Sequence, residues 1–378
     1  MALKSDTVFD LAVIGAGPAG SATAITAAKL GLRVLQLEAG SFPRHKVCGE
    51  FISPEAIALL RSLLSDANLS MLDSAPRISQ ICLHVDGRHA ELPLKAAAIS
   101  LSRSELDHAL WRSAQQHGTT CEDKCRVKAV VKKADVFQVV AENREFCARG
   151  VVNCSGRWSE LSVSIEAPLS NDHKWIGIKG HFYEVNPPAC CDLYFFSDGY
   201  CGVLPVTSEG DPIVNAAAMV RCDVATTFQE LFRLHPALQQ RTRTWHPVFT
   251  PVTTAPLIFR QPQTCHGGVL LAGDAAGFID PFTGDGISLA IHSGSKAASI
   301  MHARVRGGLS LAQAIEAYDR WYRNNLLPAF SSAQRLRSLL TMPRLVRHVS
   351  MSLLKMPPIG SKAVEMTRAK NRILKEVC

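Results

Sequence analysis

A strand, a glycine-rich turn, a helix and a second strand are written into residues 9–38. Phe9–Ile14 reads FDLAVI, a short apolar run suited to a central strand of a parallel sheet. Gly15-Ala16-Gly17-Pro18-Ala19-Gly20 follows at once, and then SATAITAAKL, alanine-rich with apolar residues at helical spacing. Gly31 stops the helix, and RVLQL (33–37) forms the next strand, which ends at Glu38. The glycine spacing is G-x-G-x-x-G, and the elements around it supply the context that gives the spacing meaning. Gly15 permits the tight turn, and Gly17 lets the backbone approach a pyrophosphate at the positive end of the helix. Gly20 allows close helix–strand packing. Pro18 and Ala19 fill the helix's first turn. Glu38 can accept hydrogen bonds from ribose hydroxyls and would repel a 2′-phosphate. FAD or NAD, not NADP, therefore suits this site.

A chain of 378 residues has room for two domains, or for one large fold with an inserted lobe. With 47% hydrophobic and 20% charged residues, it is neither disordered nor collagen-like nor coiled coil. No apolar run reaches the roughly 18 residues of a membrane span, and the first ten residues hold no signal-peptide core. The twelve cysteines follow no zinc-site or secreted-framework spacing, so free thiols in the cytoplasm are expected; Cys121 and Cys125 are no metal pair. Residues 333–378 hold ten Lys/Arg and two Glu, which accounts for the whole net charge of +8. That tail, expected to be helical with breaks near Pro343 and at Pro357-Pro358, mixes Leu, Val and Met with Arg and Lys. Such a helix suits peripheral contact with an anionic membrane through 331–378. No nucleic-acid module is present, and no nucleic-acid partner is expected.

Further along, Asp86-Gly87 marks a hairpin, and 102–117 reads as a helix capped by Ser102. Residues 126–152 alternate like strands, residues 175–222 are β-rich, and Gly267–Gly273 (GGVLLAG) is another buried strand leading into a helix near Gly286. The order predicts an α/β fold: a three-layer Rossmann-like domain from 1–75, 99–160 and 265–330. A mostly antiparallel β lobe from 76–98 and 161–264 would interrupt it, and the tail from 331 would be helical.

Residues 270–291, LLAGDAAGFIDPFTGDGISLAI, resemble the GD motif of the superfamily that joins geranylgeranyl reductases to flavoprotein aromatic monooxygenases. The resemblance covers about residues 8–330. It implies FAD, with Gly273 and Asp274 at its ribitol chain. Pro281, Gly284, Gly286 and Ile287 would lie along the isoalloxazine, where a helix start stabilises negative charge on the reduced ring. Phe42-Pro43-Arg44-His45-Lys46-Val47-Cys48-Gly49-Glu50 looks like the reductase branch's P-R-x-K-x-C-G signature. It makes Arg44, Lys46, Cys48 and Gly49 cofactor-site candidates, with Cys48 the one candidate for a catalytic role. Ser102–Asp107 resembles the R-x-x-L-D helix start, which places Arg103 at the phosphate–ribose region. Val127 and Gly156 complete the expected cofactor contacts; Ser155 stands where the superfamily has Asp in its D-G segment.

The fold does not fix the reaction. GYCGVLP (199–205) has Gly202 where geranylgeranyl reductases carry Trp. Loss of that aromatic wall favours hydroxylation of a lipophilic aromatic or polyketide-like substrate with NAD(P)H and O2. The alternative is reduction of an isoprenoid C=C bond. Halogenation lacks its W-x-W-x-I-P string, the nearest segment being Trp175-Ile176-Gly177. A non-catalytic FAD protein that docks to membranes is the remaining reading. His173, His181 and His292 read as structural, and Tyr183, Tyr194, Phe195, Phe196 and Tyr200 as core or pocket lining.

Overall fold

The computed structural model describes residues 3–157, 161, 174–206, 212–254, 256–340 and 342–367. His173, Ser159 and the tail beyond Thr367 lie outside the described residues.

The strand Leu3–Ile14 occupies the middle of the first sheet, and Phe9, Leu11, Ala12, Val13 and Ile14 bury on its two faces. It pairs in parallel with Val34–Leu37 on one side (Ile14 opposite Leu37) and with Arg144–Asn153 on the other (Ile14 opposite Asn153). Val269–Leu271 joins beyond Asn153, and Thr120–Glu122 beyond Leu37, again in parallel. The carboxyl ends of these strands therefore meet along one edge, where an open α/β sheet binds its ligand. Helices Pro18–Lys29 and Gly286–Val305 cover one face. The antiparallel hairpin Val127–Lys133/Val136–Ala141 covers the other, packing Phe137 and Val139 on Phe9, Ala12 and Leu35. These are the three layers.

The second sheet runs Val252–Thr253, Trp175–Tyr183, Ile213–Arg221, Gly199–Val206, Cys190–Phe196, Arg77–Val85, Arg88–Ser100, Phe51–Ile52. Its neighbours are antiparallel except Cys190–Phe196 against Arg77–Val85. Strand alternation gives it two faces. The outer one buries Phe182, Val203, Val214 and Ala216 under Phe228 and Trp245. The inner one gathers Cys191, Leu193, Tyr200, Leu204 and Met219 with Phe51, Phe278 and Phe282. Phe51–Ile52 pairs with Ile99 and Ser100, so this short segment, just after Cys48-Gly49-Glu50, is itself a strand of the second sheet.

The tail forms helices Leu327–Leu340, Arg344–Leu354 and Pro357–Thr367, interrupted at Pro343 and restarted at Pro357. It is not a free arm. Met351 packs on Val85 and Ala90, and Arg347 grips Asp86 through Nε (2.7 Å) and Nη2 (2.8 Å).

Candidate functional site

Three turns converge at the carboxyl edge of the first sheet. Gly15 lies so close to the end of Arg144–Asn153 that a Cβ there would stand 2.5 Å from the Cys154 carbonyl oxygen, and its φ of +98° suits glycine. A Cβ on Gly20 would fall 1.9 Å from the Gly15 carbonyl, so the third glycine is fixed by contact with the first. Gly273 (φ +61°) meets Ala19 in the same way, which brings the downstream turn against the first. No side chain caps the N-terminus of Pro18–Lys29, and no acid occupies its first turn. Its leading N–H groups thus remain available to an anion.

Charged side chains ring these turns. Glu38, nearly buried, accepts hydrogen bonds from the Ala16 N–H (2.8 Å), the Gly40 N–H (2.8 Å) and Arg44 Nη1 (2.6 Å). Burial alone would raise its carboxyl, but Arg44 and the two backbone donors outweigh it and hold the value at about 2. Arg44 also lies over the Phe42 ring. Arg103 opens helix Arg103–Gln116, with Ser102 as its cap. Its guanidinium forks onto Asp107 (2.7 Å twice), and one nitrogen lies 3.6 Å from where a Gly17 Cβ would be. It therefore borders the turn that would hold a pyrophosphate. Asp274 sits in the third turn, 3.8 Å from Arg157, while Lys46 and Arg103 act on it from across the cleft.

Most sequence-predicted cofactor residues meet here: Gly15, Gly17, Pro18, Ala19, Gly20, Glu38, Arg44, Lys46, Arg103, Gly156, Gly273 and Asp274. Gly156 takes φ +84° in the turn after Asn153, whose side chain accepts from the Ser155 N–H (3.0 Å). Asn153 thereby ties down the segment that lacks the superfamily's Asp. Val127 is half-buried in the hairpin cluster, two residues past Cys125, whose N–H bonds the Glu38 carbonyl. The Pro281–Thr283 turn ends at Gly284 (φ +73°), packed on the Phe51 ring. Gly286 starts a twenty-residue helix with no acid in its first turn. The side chain of Ile287 points into the main core, leaving only its backbone to the cleft.

Cys48 and Gly49 are fixed from the other sheet. Asn215 Nδ2 donates to both their carbonyls (3.1 and 2.9 Å). Glu50, fully buried at φ +59°, accepts from Lys179 Nζ, from the Arg103 N–H (2.6 Å) and pairs with His181 Nε2 (2.7 Å). Burial would raise its carboxyl; Lys179 and His181 reverse the effect and keep it below the ordinary range. His181 is buried and paired with Glu50. Lys179 and Asn215 carried no motif signal; Glu50 and Arg157 stood in matched segments but were not singled out.

The arrangement fits FAD: a close backbone cradle, an uncapped helix start, a carboxylate at the end of the second strand, a second carboxylate at the far turn, and a second helix start beyond it. A family model described as an FAD-binding domain matches residues 8–321. The menaquinone reductase of Mycolicibacterium smegmatis is 26% identical over 369 residues, covering 90% of this chain and 87% of that protein. The digeranylgeranylglycerophospholipid reductase of Methanocella arvoryzae is 26% identical over 362 residues, covering 90% and 88%. Among solved structures, a flavin-dependent brominase superposes with a TM-score of 0.78 at 20% identity, covering 96% of this chain and 93% of that one.

Proposed function

This chain belongs to the FAD-binding domain family and is an FAD-dependent oxidoreductase, and from that premise we propose that it reduces a carbon–carbon double bond of a lipophilic, isoprenoid-like substrate. One observation carries the reading. The segment Cys48–Glu50 is clamped between the two sheets, beside an apolar sheet face that meets the Pro281–Thr283 turn through Phe282. That both relatives named above are reductases supports it.

FAD, when bound and reduced by NAD(P)H or another donor, supplies a hydride to one alkene carbon. The chain's own residues do the rest. The Gly15–Gly20 turn and Arg103 bind the diphosphate, Glu38 and Asp274 orient the sugar portions, and the first turn of Gly286–Val305 favours negative charge at the ring. Leu193, Tyr200, Met219 and Phe282 exclude water from the reacting carbons. Tyr200 keeps its proton across the neutral range, because burial and then the Asp280 carboxylate push its hydroxyl well above the ordinary value.

Hydroxylation with O2 is the second reading, favoured by Gly202. Gly202 stands where geranylgeranyl reductases carry Trp, and Leu193 packs into the room beside it: a Cβ at Gly202 would stand 3.2 Å from Leu193 Cδ2. The test is anaerobic reduction of the FAD-loaded protein with NADH and NADPH, then substrate, with and without O2. Reduction predicts a product heavier by two hydrogens and no O2 uptake. Substrate-dependent O2 uptake with one oxygen atom gained would replace the first reading with the second.

A further inference from the structure

Leu345, Val346, Val349 and Leu353 lie exposed along one side of helix Arg344–Leu354, and Met356 and Ile359 continue the strip into the next turn. Leu345 is 76% exposed and Val349 54%. The opposite side of the same helix is fixed: Arg347 holds Asp86 and Met351 is buried on Val85 and Ala90. The apolar side is therefore held outward by the protein. Around it stand Arg344, Lys355 and Lys362, all exposed, while the acid of this stretch, Glu365, is paired with Lys95. Residues 333–378 together carry +8.

We propose that this face docks flat onto an anionic lipid bilayer, its apolar strip in the acyl boundary and its cations among the headgroups. No helix among the described residues is long and apolar enough to cross a membrane, so the contact is interfacial. A second copy of the chain fits the face poorly. A two-fold contact would set the same cationic rim against itself.

The same helix is tied to the site by packing. Met351 and Leu354 pack against Leu83 and Phe195, which also border the inner face of the second sheet. The Phe195 ring meets the Phe282 ring at 6.2 Å. In the helix before, Arg337 Nη1 bonds Asp280 (2.6 Å), the residue that opens the Pro281–Thr283 turn. A run of packed apolar side chains thus joins the bilayer-facing helix to the site.

The full-length FAD-loaded protein is to be floated with vesicles of phosphatidylcholine alone and with phosphatidylglycerol added. Binding is expected to the anionic vesicles, to weaken with salt, and to fall roughly tenfold or more in Leu345→Asp/Val349→Asp. Flavin absorbance and the melting transition of that variant are expected to match the parent, since neither side chain is buried. Arg344→Gln/Lys355→Gln is expected to lose the preference for anionic lipid. The proposal falls if the parent protein does not float, or if the Asp variant floats equally well. It also falls if light scattering shows a dimer that the Asp substitutions dissociate, which would make the face a contact between copies. Vesicle binding needs no turnover, so docking can fail while the reductase reading stands, and the reverse.

Discussion

Glu38 is held ionised by three donors that the first two strands bring to it, and this has two measurable consequences. Its carboxyl sits at about 2 in the fold against an ordinary 4.5. The stability it contributes is whole above about pH 4.5 and is lost as pH falls through 2. Glu38→Gln is expected to flatten the stability–pH curve in that window, as read by urea titrations at stepped pH. The same change is expected to weaken FAD binding roughly tenfold or more, because a hydrogen bond to a charged acceptor is replaced by one to a neutral amide; flavin fluorescence quenching measures it. Unchanged affinity would remove Glu38 from the cofactor site. Glu38 was legible in the sequence, as were Gly15, Gly17, Gly20, Arg103 and Asp274. Each stands in a motif whose local spacing marks it, whatever it later touches. Asn215 was not, because the carbonyls it holds belong to residues 48 and 49, and nothing local to a strand reading IVNAAAMVR marks one amide as a clamp.

Helix Gly286–Val305 does two jobs, and its sequence shows only one. Its glycine-flanked start was readable as a cofactor-facing helix end. Its body is a packing device: a Cβ on Gly294 would come within 2.2 Å of the Ala19 carbonyl, so Gly294 is what lets the helix lie directly on Pro18–Lys29. A small residue in a helix carries no label saying which helix will cross it. On the same helix His292 is buried, and burial pushes its imidazole down to about 4, partly offset by the Glu55 backbone. An unfolded chain takes up that proton first. The stability tied to neutral His292 is therefore complete above pH 6.5 and declines as pH drops towards 4, by about 3 kcal/mol at most. His292→Leu is expected to reduce the loss between pH 7 and 4 in chemical denaturation; an identical loss would show the group is not buried neutral. The tail helices teach a related lesson. Their breaks at Pro343 and Pro357 were legible from proline chemistry. Which side would meet the protein was not, since that depends on Asp86, Val85 and Ala90 in a hairpin over 250 residues earlier.

At the scale of the molecule, the two sheets are joined by charge as well as by apolar contact. Glu50 leaves the first domain's motif, while Lys179 and His181 come from the strand Trp175–Tyr183 of the second sheet, 129 and 131 residues away. All three are buried, and Glu50 also receives the Arg103 N–H that opens the helix bordering the diphosphate turn. The sequence predicted the α/β fold class, but it could not show that a lysine in a strand interior reaches Glu50. Fully desolvated ions stabilise a fold only in company: deleting one partner strands the other. Lys179→Met is accordingly expected to cost about 3–5 kcal/mol in equilibrium unfolding, by leaving Glu50 with less compensation. Adding Glu50→Gln removes the stranded charge, so the double variant is expected to be less destabilised than the sum of the two single changes. The flavin reports the same coupling, because Glu50 positions both the Cys48 segment and the start of the Arg103 helix. Lys179→Met is expected to weaken FAD retention on gel filtration, and the double variant to recover part of it. Strict additivity in both measurements would mean that the two sheets associate through their apolar faces alone, with Glu50 satisfied by Arg103 and His181.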